Sequence, residues 1–157
     1  MGFMDNFKIF SGHKDGLDDK ELIKKLVTQN YYISPNDNIE DAIKSLRNRS
    51  VTGLPVVDDQ MKVVGFISEK DCLKFLYGAF YFNQHSGNVF SHMNKDVIVV
   101  QDDVDLPSIL KLFIEKPYHV YPVVDEQKKY VGMIKRTDLL AEIYAIMDIL
   151  TKQSSAA

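Results

Sequence analysis

Residues 54–71, LPVVDDQMKVVGFISEKD, lie without a gap over residues 121–138, YPVVDEQKKYVGMIKRTD, when the chain is shifted by 67 places. Within 55–71 the matched positions are Pro55, Val56, Val57, Asp58, Gln60, Lys62, Val64, Gly65, Ile67 and Asp71, ten of seventeen. Unrelated stretches at ordinary residue frequencies would share about one. Each copy reads as strand, polar turn, strand. An apolar run opens at Leu54 or Tyr121, Asp, Gln and Lys residues turn the chain, and a second apolar run occupies 63–67 or 130–134. Upstream, Ile39, Ala42, Ile43 and Leu46 recur at i, i+3, i+4 and i+7, and Leu106, Ile109, Leu110 and Phe113 repeat that helical face at the same offset. A short strand at 31–33 or 98–100 precedes each helix. Downstream, a closing helix begins near Asp71 or Asp138. It is predicted to bury Cys72, Leu73 and Leu76 in the first copy, and Leu139, Leu140, Ile143 and Met147 in the second.

The unit is therefore β-α-β-β-α, present twice. Three strands do not enclose a core alone, so the copies are expected to pack through their sheets as one pseudo-twofold module of α+β (α/β-like) class. The expected segments are a flexible leader at 1–17, repeat 1 with a helical lead-in (18–27) over 18–82, a linker at 83–88, repeat 2 over 89–152, and a flexible tail at 153–157. A chain of 157 residues has room for such a core without staples.

Nineteen Lys and Arg against twenty-two Asp and Glu give a formal net charge of -3, and the basic residues form no stripe, which argues against a nucleic-acid partner. No apolar run is long enough to span a bilayer, so no membrane partner is expected. The single Cys72 has no internal disulfide partner, and the first sixteen residues show neither a signal core nor a transit composition. A cytoplasmic location is the expectation. The opening Met-Gly lacks the Ser or Thr of a myristoylation motif, because position 6 is Asn6.

Two copies carrying h-P-V-V-D and G-h-I-x-x-x-D in the same order and spacing closely resemble the CBS-domain family, named for cystathionine β-synthase, over about residues 18–150. The resemblance implies a tandem pair, or Bateman module, that takes an adenosine-containing ligand such as AMP, ADP, ATP or S-adenosylmethionine in a cleft between the copies. No cofactor is required. In ligand-binding copies of the family, Gly is followed by a hydrophobe, two hydroxyl residues at alternate positions and an Asp that holds the ribose. The second copy, Gly132-Met133-Ile134-Lys135-Arg136-Thr137-Asp138, keeps the last pair and has Lys135 at the first hydroxyl position. The first copy, Gly65-Phe66-Ile67-Ser68-Glu69-Lys70-Asp71, keeps the first hydroxyl and has Lys70 at the second.

The resemblance implies that Asp138, with Thr137, Lys135 and Arg136, faces Gln29, Tyr31, Thr52, Gly53 and Leu54 of the other copy. It likewise implies a second, weaker site in which Ser68 and Asp71 face Asp96, Ile98, His119, Val120 and Tyr121. The chemistry is coherent. A carboxylate accepts from both ribose hydroxyls, a helix N-terminus favours phosphate, and Lys135 and Arg136 supply positive charge. The residues also permit a plainer account. Ser68-x-x-Asp71 is a capping-box pattern, and Thr137-Asp138 reads as an N-cap followed by an acid favoured by the helix dipole.

Phe75, Leu76, Tyr77, Phe80, Tyr81 and Phe82 make the end of the first closing helix too aromatic for an ordinary surface. A homodimer is the expected cover, with an unidentified regulated protein as a further partner. The leading function is a stand-alone regulatory module, and the alternative is a ligand-free structural interaction module whose clefts hold their own side chains. Catalysis is not expected. Cys72, His119, Ser68 and Asp71 offer nucleophiles and bases, but no nucleophile elbow, metal-ligand spacing or phosphate loop accompanies them.

Overall fold

The repeated Pro-Val-Val-Asp stretch forms the buried strand of each half because it is apolar on both faces. β1 (Gly53–Val57) and β4 (Val120–Val124) are buried at all five positions. Each pairs antiparallel with the next strand, β2 (Val63–Ser68) or β5 (Tyr130–Lys135), with Val56 opposite Gly65 and Val123 opposite Gly132. The connecting turns are held the same way. Asp58 Oδ1 accepts from the Gln60 and Lys62 amides and Asp125 Oδ1 from the Lys129 amide, each bond 2.9 Å long. Met61 and Lys128 stand at corresponding positions in the left-handed region, with φ of 62° and 63°. The computed structural model describes residues 18–27, 30–84 and 86–156, so the expected leader at 1–17 and the candidate Gln29 lie outside the described residues.

Helices frame these hairpins in the order α1 (Asp19–Leu26), α2 (Ile39–Arg49), β1, β2, α3 (Glu69–Phe82), α4 (Val89–His92), β3 (Val100–Gln101), α5 (Leu106–Glu115), β4, β5 and α6 (Arg136–Ser155). Capping residues start the two repeat helices. Asn38 accepts from the Glu40 amide, and Asp105 accepts from the Ser108 amide with Pro107 in the first turn. Hydrogen bonds from Ser108 hold the Asp105 carboxyl below its ordinary range.

Three expectations are corrected. The strand expected at 31–33 is a single parallel bridge between Ile33 and Val56. Ile33 donates to the Pro55 carbonyl at 3.0 Å and accepts from Val57 at 2.9 Å, after which Ser34 and Asp37 close a turn that ends the pairing. Its counterpart is Val100–Gln101 rather than 98–100, parallel to β4. Leu73 and Leu140, expected inside, are 64% and 71% exposed. With helices beginning at Glu69 and Arg136, the inward positions are Cys72 and Phe75 in α3 and Leu139 in α6, with Leu76, Ile143 and Met147 half-buried. Residues 153–155, expected in the tail, belong to α6.

The lead-in helix does not pack on the repeat it precedes. Leu22, Ile23 and Leu26 of α1 are buried with Val100, Leu106, Ile109, Tyr121, Ile134 and Leu139 in the core of the second half. Val89 and Met93, at +67 from Leu22 and Leu26, are buried with Ile39, Leu46, Leu54 and Phe75 in the core of the first. The halves thus exchange their lead-in segments. Lys25 pairs with Glu142 at 2.6 Å, and Val89 donates to the Asp37 carbonyl at 2.9 Å. A third cluster of Val57, Val120, Tyr130 and Met133 lies at the junction, where the Tyr130 hydroxyl donates to the Tyr31 carbonyl at 2.7 Å. Burial there, reinforced by Tyr32, pushes the Tyr130 phenol up.

Candidate functional site

The corner between β2 and α3 is locked by a reciprocal cap. The Ser68 hydroxyl accepts from the Asp71 amide at 3.3 Å and donates to the Asp71 carboxylate at 2.6 Å, which also accepts from the Ser68 amide at 3.0 Å. The other carboxylate oxygen lies 3.6 Å from Lys74 Nζ, and the Asp71 side chain is only 17% exposed. Both oxygens are therefore engaged by the helix start itself, as the capping-box pattern allowed. Behind the cap, burial first, and then the Asp71 and Glu69 carboxylates, push the Cys72 thiol up to about 11. The thiolate is the reactive form, so alkylation of Cys72 at pH 8 is expected to be at least about tenfold slower in the folded chain than in urea. Equal rates by a thiol-colour assay would contradict this burial.

Beside the corner opens a cavity of about 500 Å³, a volume that suits a nucleotide-sized ligand. The first half contributes Thr52, Phe66, Ser68, Glu69 and Lys70 to its wall. The second half contributes the stretch before β3, with Asn94, Asp96, Val97 and Ile98, and the approach to β4, with Tyr118, His119, Val120 and Tyr121. The halves are stitched together here, because Phe66 donates to the Asn94 carbonyl at 2.9 Å and Asn94 returns a bond at 2.8 Å. Asn94 also orders its own loop, its side chain accepting from the Asp96 amide at 2.9 Å. Tyr121 is fixed by donation to the Leu112 carbonyl at 3.2 Å and by the Phe113 ring at 4.7 Å. Gly53 belongs to the same arrangement, since a β-carbon there would overlap the edge of the Phe66 ring.

Of the second candidate set, Ser68, Asp96, Ile98, His119, Val120 and Tyr121 line this one cavity, while Asp71 stands behind it in the cap. The Asp138 set is arranged differently. Lys135 is the N-cap residue of α6 and makes no side-chain cap, but its Nζ lies 3.3 Å from the Asp138 carboxylate. Arg136 and Thr137 are exposed. The Tyr31 ring is covered by the Arg49 guanidinium at 3.9 Å, Leu54 is fully buried in the first core, and Thr52 lines the Ser68 cavity. Sequence reasoning missed Phe66, Glu69, Lys70, Asn94, Val97, Pro117, Tyr118 and Pro122 as wall residues. The signal for Glu69 was its place inside the motif, and for Tyr118 its place in the approach to β4, beside His119. Among the described residues no group of His, Cys, Asp and Glu could hold a metal ion, and no helix is long and apolar enough to cross a membrane.

The family model of the CBS domain matches residues 23–78 and 87–145. Inosine-5'-monophosphate dehydrogenase of Methanocaldococcus jannaschii is 30% identical over 122 residues, which is 78% of this chain and 22% of that protein. CBS domain-containing protein CBSX2, chloroplastic, of Arabidopsis thaliana is 26% identical over 136 residues, 70% of this chain and 57% of that protein. The chain thus spans about a fifth of the first relative's length and just over half of the second's. The solved structure of CBSX2 in complex with AMP superimposes with a TM-score of 0.70 at 26% identity, covering 80% of this chain and 97% of that one. Staphylococcus aureus OpuCA, at 22% identity and a TM-score of 0.65, covers 77% of this chain and 97% of that one, and shares the fold.

Proposed function

The chain belongs to the CBS-domain family, and from that premise we propose that it is a regulatory module that binds an adenosine-containing ligand in the cavity between Ser68 and His119. The observation that carries the reading is the cavity itself, about 500 Å³ walled by both halves. Its wall has aromatic rings from Phe66 and Tyr118 for a purine, side-chain polar groups from Thr52 and Asn94 for a ribose, and the start of α3 with Lys70 for a phosphate. The relative CBSX2, of similar fold, was solved with AMP.

The Asp138 side, which the motif alone ranks first, is the subordinate seat in this reading. Lys135 already neutralises its carboxylate at 3.3 Å, and Arg49 occupies the face of Tyr31. Because the wall is assembled from both halves, a ligand that prefers one relative packing of them shifts the population toward it. The module performs no chemistry of its own in this account.

Isothermal titration of AMP tests the assignment. His119→Ala, which removes a wall side chain, is expected to weaken AMP about three- to tenfold, and Asp138→Ala to leave it within about twofold. The opposite ranking moves the ligand to the Asp138 side, and no binding of AMP, ATP or S-adenosylmethionine at millimolar concentration leaves the structural interaction module instead.

The chain is also read as a homodimer. Tyr77, Phe80 and Tyr81 of α3 and Leu140 and Tyr144 of α6 stand on the surface, Phe80 at 83% exposed. A second copy covers such apolar area in this account. Light scattering at micromolar concentration is expected to give twice the chain mass, and a monomer contradicts it.

A further inference from the structure

We propose that the cavity selects adenosyl ligands bearing no more than one phosphate and rejects the triphosphate, and that the rejecting groups are Glu69 and Asp96. The inference rests on the preceding reading of the cavity as an adenosyl site and specifies its ligand class. The wall holds two carboxylates, Glu69 and Asp96, and one ammonium, Lys70. All three are exposed, and none makes an ion pair among the described residues. They come from different elements. Glu69 and Lys70 open α3, whereas Asp96 lies ahead of β3 in the other half.

One phosphate can be served by Lys70 and the N-terminal turn of the 14-residue helix α3. That capacity is limited. The Glu69 amide is already committed to the Thr52 carbonyl at 3.1 Å, and the Asp71 amide to Ser68. A β- and γ-phosphate add negative charge that no further Lys or Arg in the wall meets, in a cavity that already holds two carboxylates of their own sign. Besides these three the wall holds the His119 imidazole, the polar side chains of Thr52, Ser68 and Asn94, and apolar or aromatic residues such as Val97, Ile98, Val120 and Phe66. Recognition therefore falls on the nucleoside and the first phosphate, and the carboxylates act as the repulsive element that specificity requires.

Titration of AMP and of magnesium-free ATP into the wild-type chain and into E69Q, D96N and the double variant tests this. The wild type is expected to bind AMP at least about tenfold tighter than ATP. Each single variant is expected to narrow that ratio about threefold, and the double variant to narrow it further, by tightening ATP while AMP changes less. ATP binding the wild type as tightly as AMP, or a ratio unchanged in the double variant, overturns the selectivity while leaving the adenosyl site standing. Failure of both nucleotides and of S-adenosylmethionine to bind the wild type removes the site and the selectivity together. Both substitutions are exposed and isosteric, and circular dichroism of each variant is expected to match the wild type.

Discussion

Replacing Leu22 with Ala is expected to cost about 2–5 kcal/mol of stability and to lower the melting temperature by roughly 5–15 °C. Leu22 lies in α1, near the start of the described chain, yet its side chain is fully buried with Val100, Leu106, Tyr121 and Ile134 of the second half. The damage is therefore expected far along the sequence. Hydrogen exchange should accelerate most in β4 and β5, and less in the β1–β2 hairpin. Val89→Ala, its counterpart at +67, should show the reverse because Val89 is fully buried in the first core. A Leu22→Ala loss below about 1 kcal/mol, or acceleration confined to the first hairpin, would show that α1 does not complete the second core.

Gly53→Val is the substitution expected to damage the cavity most. A β-carbon at Gly53 would overlap the Cε1 and Cζ atoms of Phe66 and stand 3.2 Å from the Ile67 carbonyl oxygen. The strand pairing fixes the backbone, with Gly53 opposite Ser68, so the Phe66 ring must move and the wall it forms is lost. Overpacking of this kind costs about 1–3 kcal/mol. AMP affinity should fall at least about tenfold by titration, with the melting temperature down by several degrees. Unchanged AMP affinity in a folded Gly53→Val protein would mean that Phe66 is not part of the binding wall.

The sequence made the repeated hairpin legible because it is local. Within each copy the apolar runs, the Asp-led turn at Asp58 or Asp125 and the positions shared at +67 lie within eighteen residues. The faces of α2 and α5 were legible for the same reason, as Ile39, Ala42 and Leu46, and Leu106, Ile109 and Phe113, are the buried positions. Where a helix begins was less visible. Leu73 and Leu140 belong to apolar clusters whose phase depends on a start point, and helices opening at Glu69 and Arg136 turn both outward. The exchange of α1 and α4 could not be read from contiguity, because Leu22 and Val89 each pack on the half farther along or farther back in the chain. At the cavity, Ser68-x-x-Asp71 announced the cap that it forms. The wall depends on Phe66, Asn94 and Tyr118 meeting across the junction, a relation between loops that no single stretch encodes.

The central claim is that an adenosyl ligand occupies the cavity between the halves. A crystal structure of the chain grown with AMP tests it most directly. Purine density is expected against Phe66 and Tyr118, ribose near Thr52 and Asn94, and phosphate at the start of α3 beside Lys70. AMP bound beside Lys135 and Asp138 with the Ser68 cavity empty, or absent from both at saturating concentration, would contradict it.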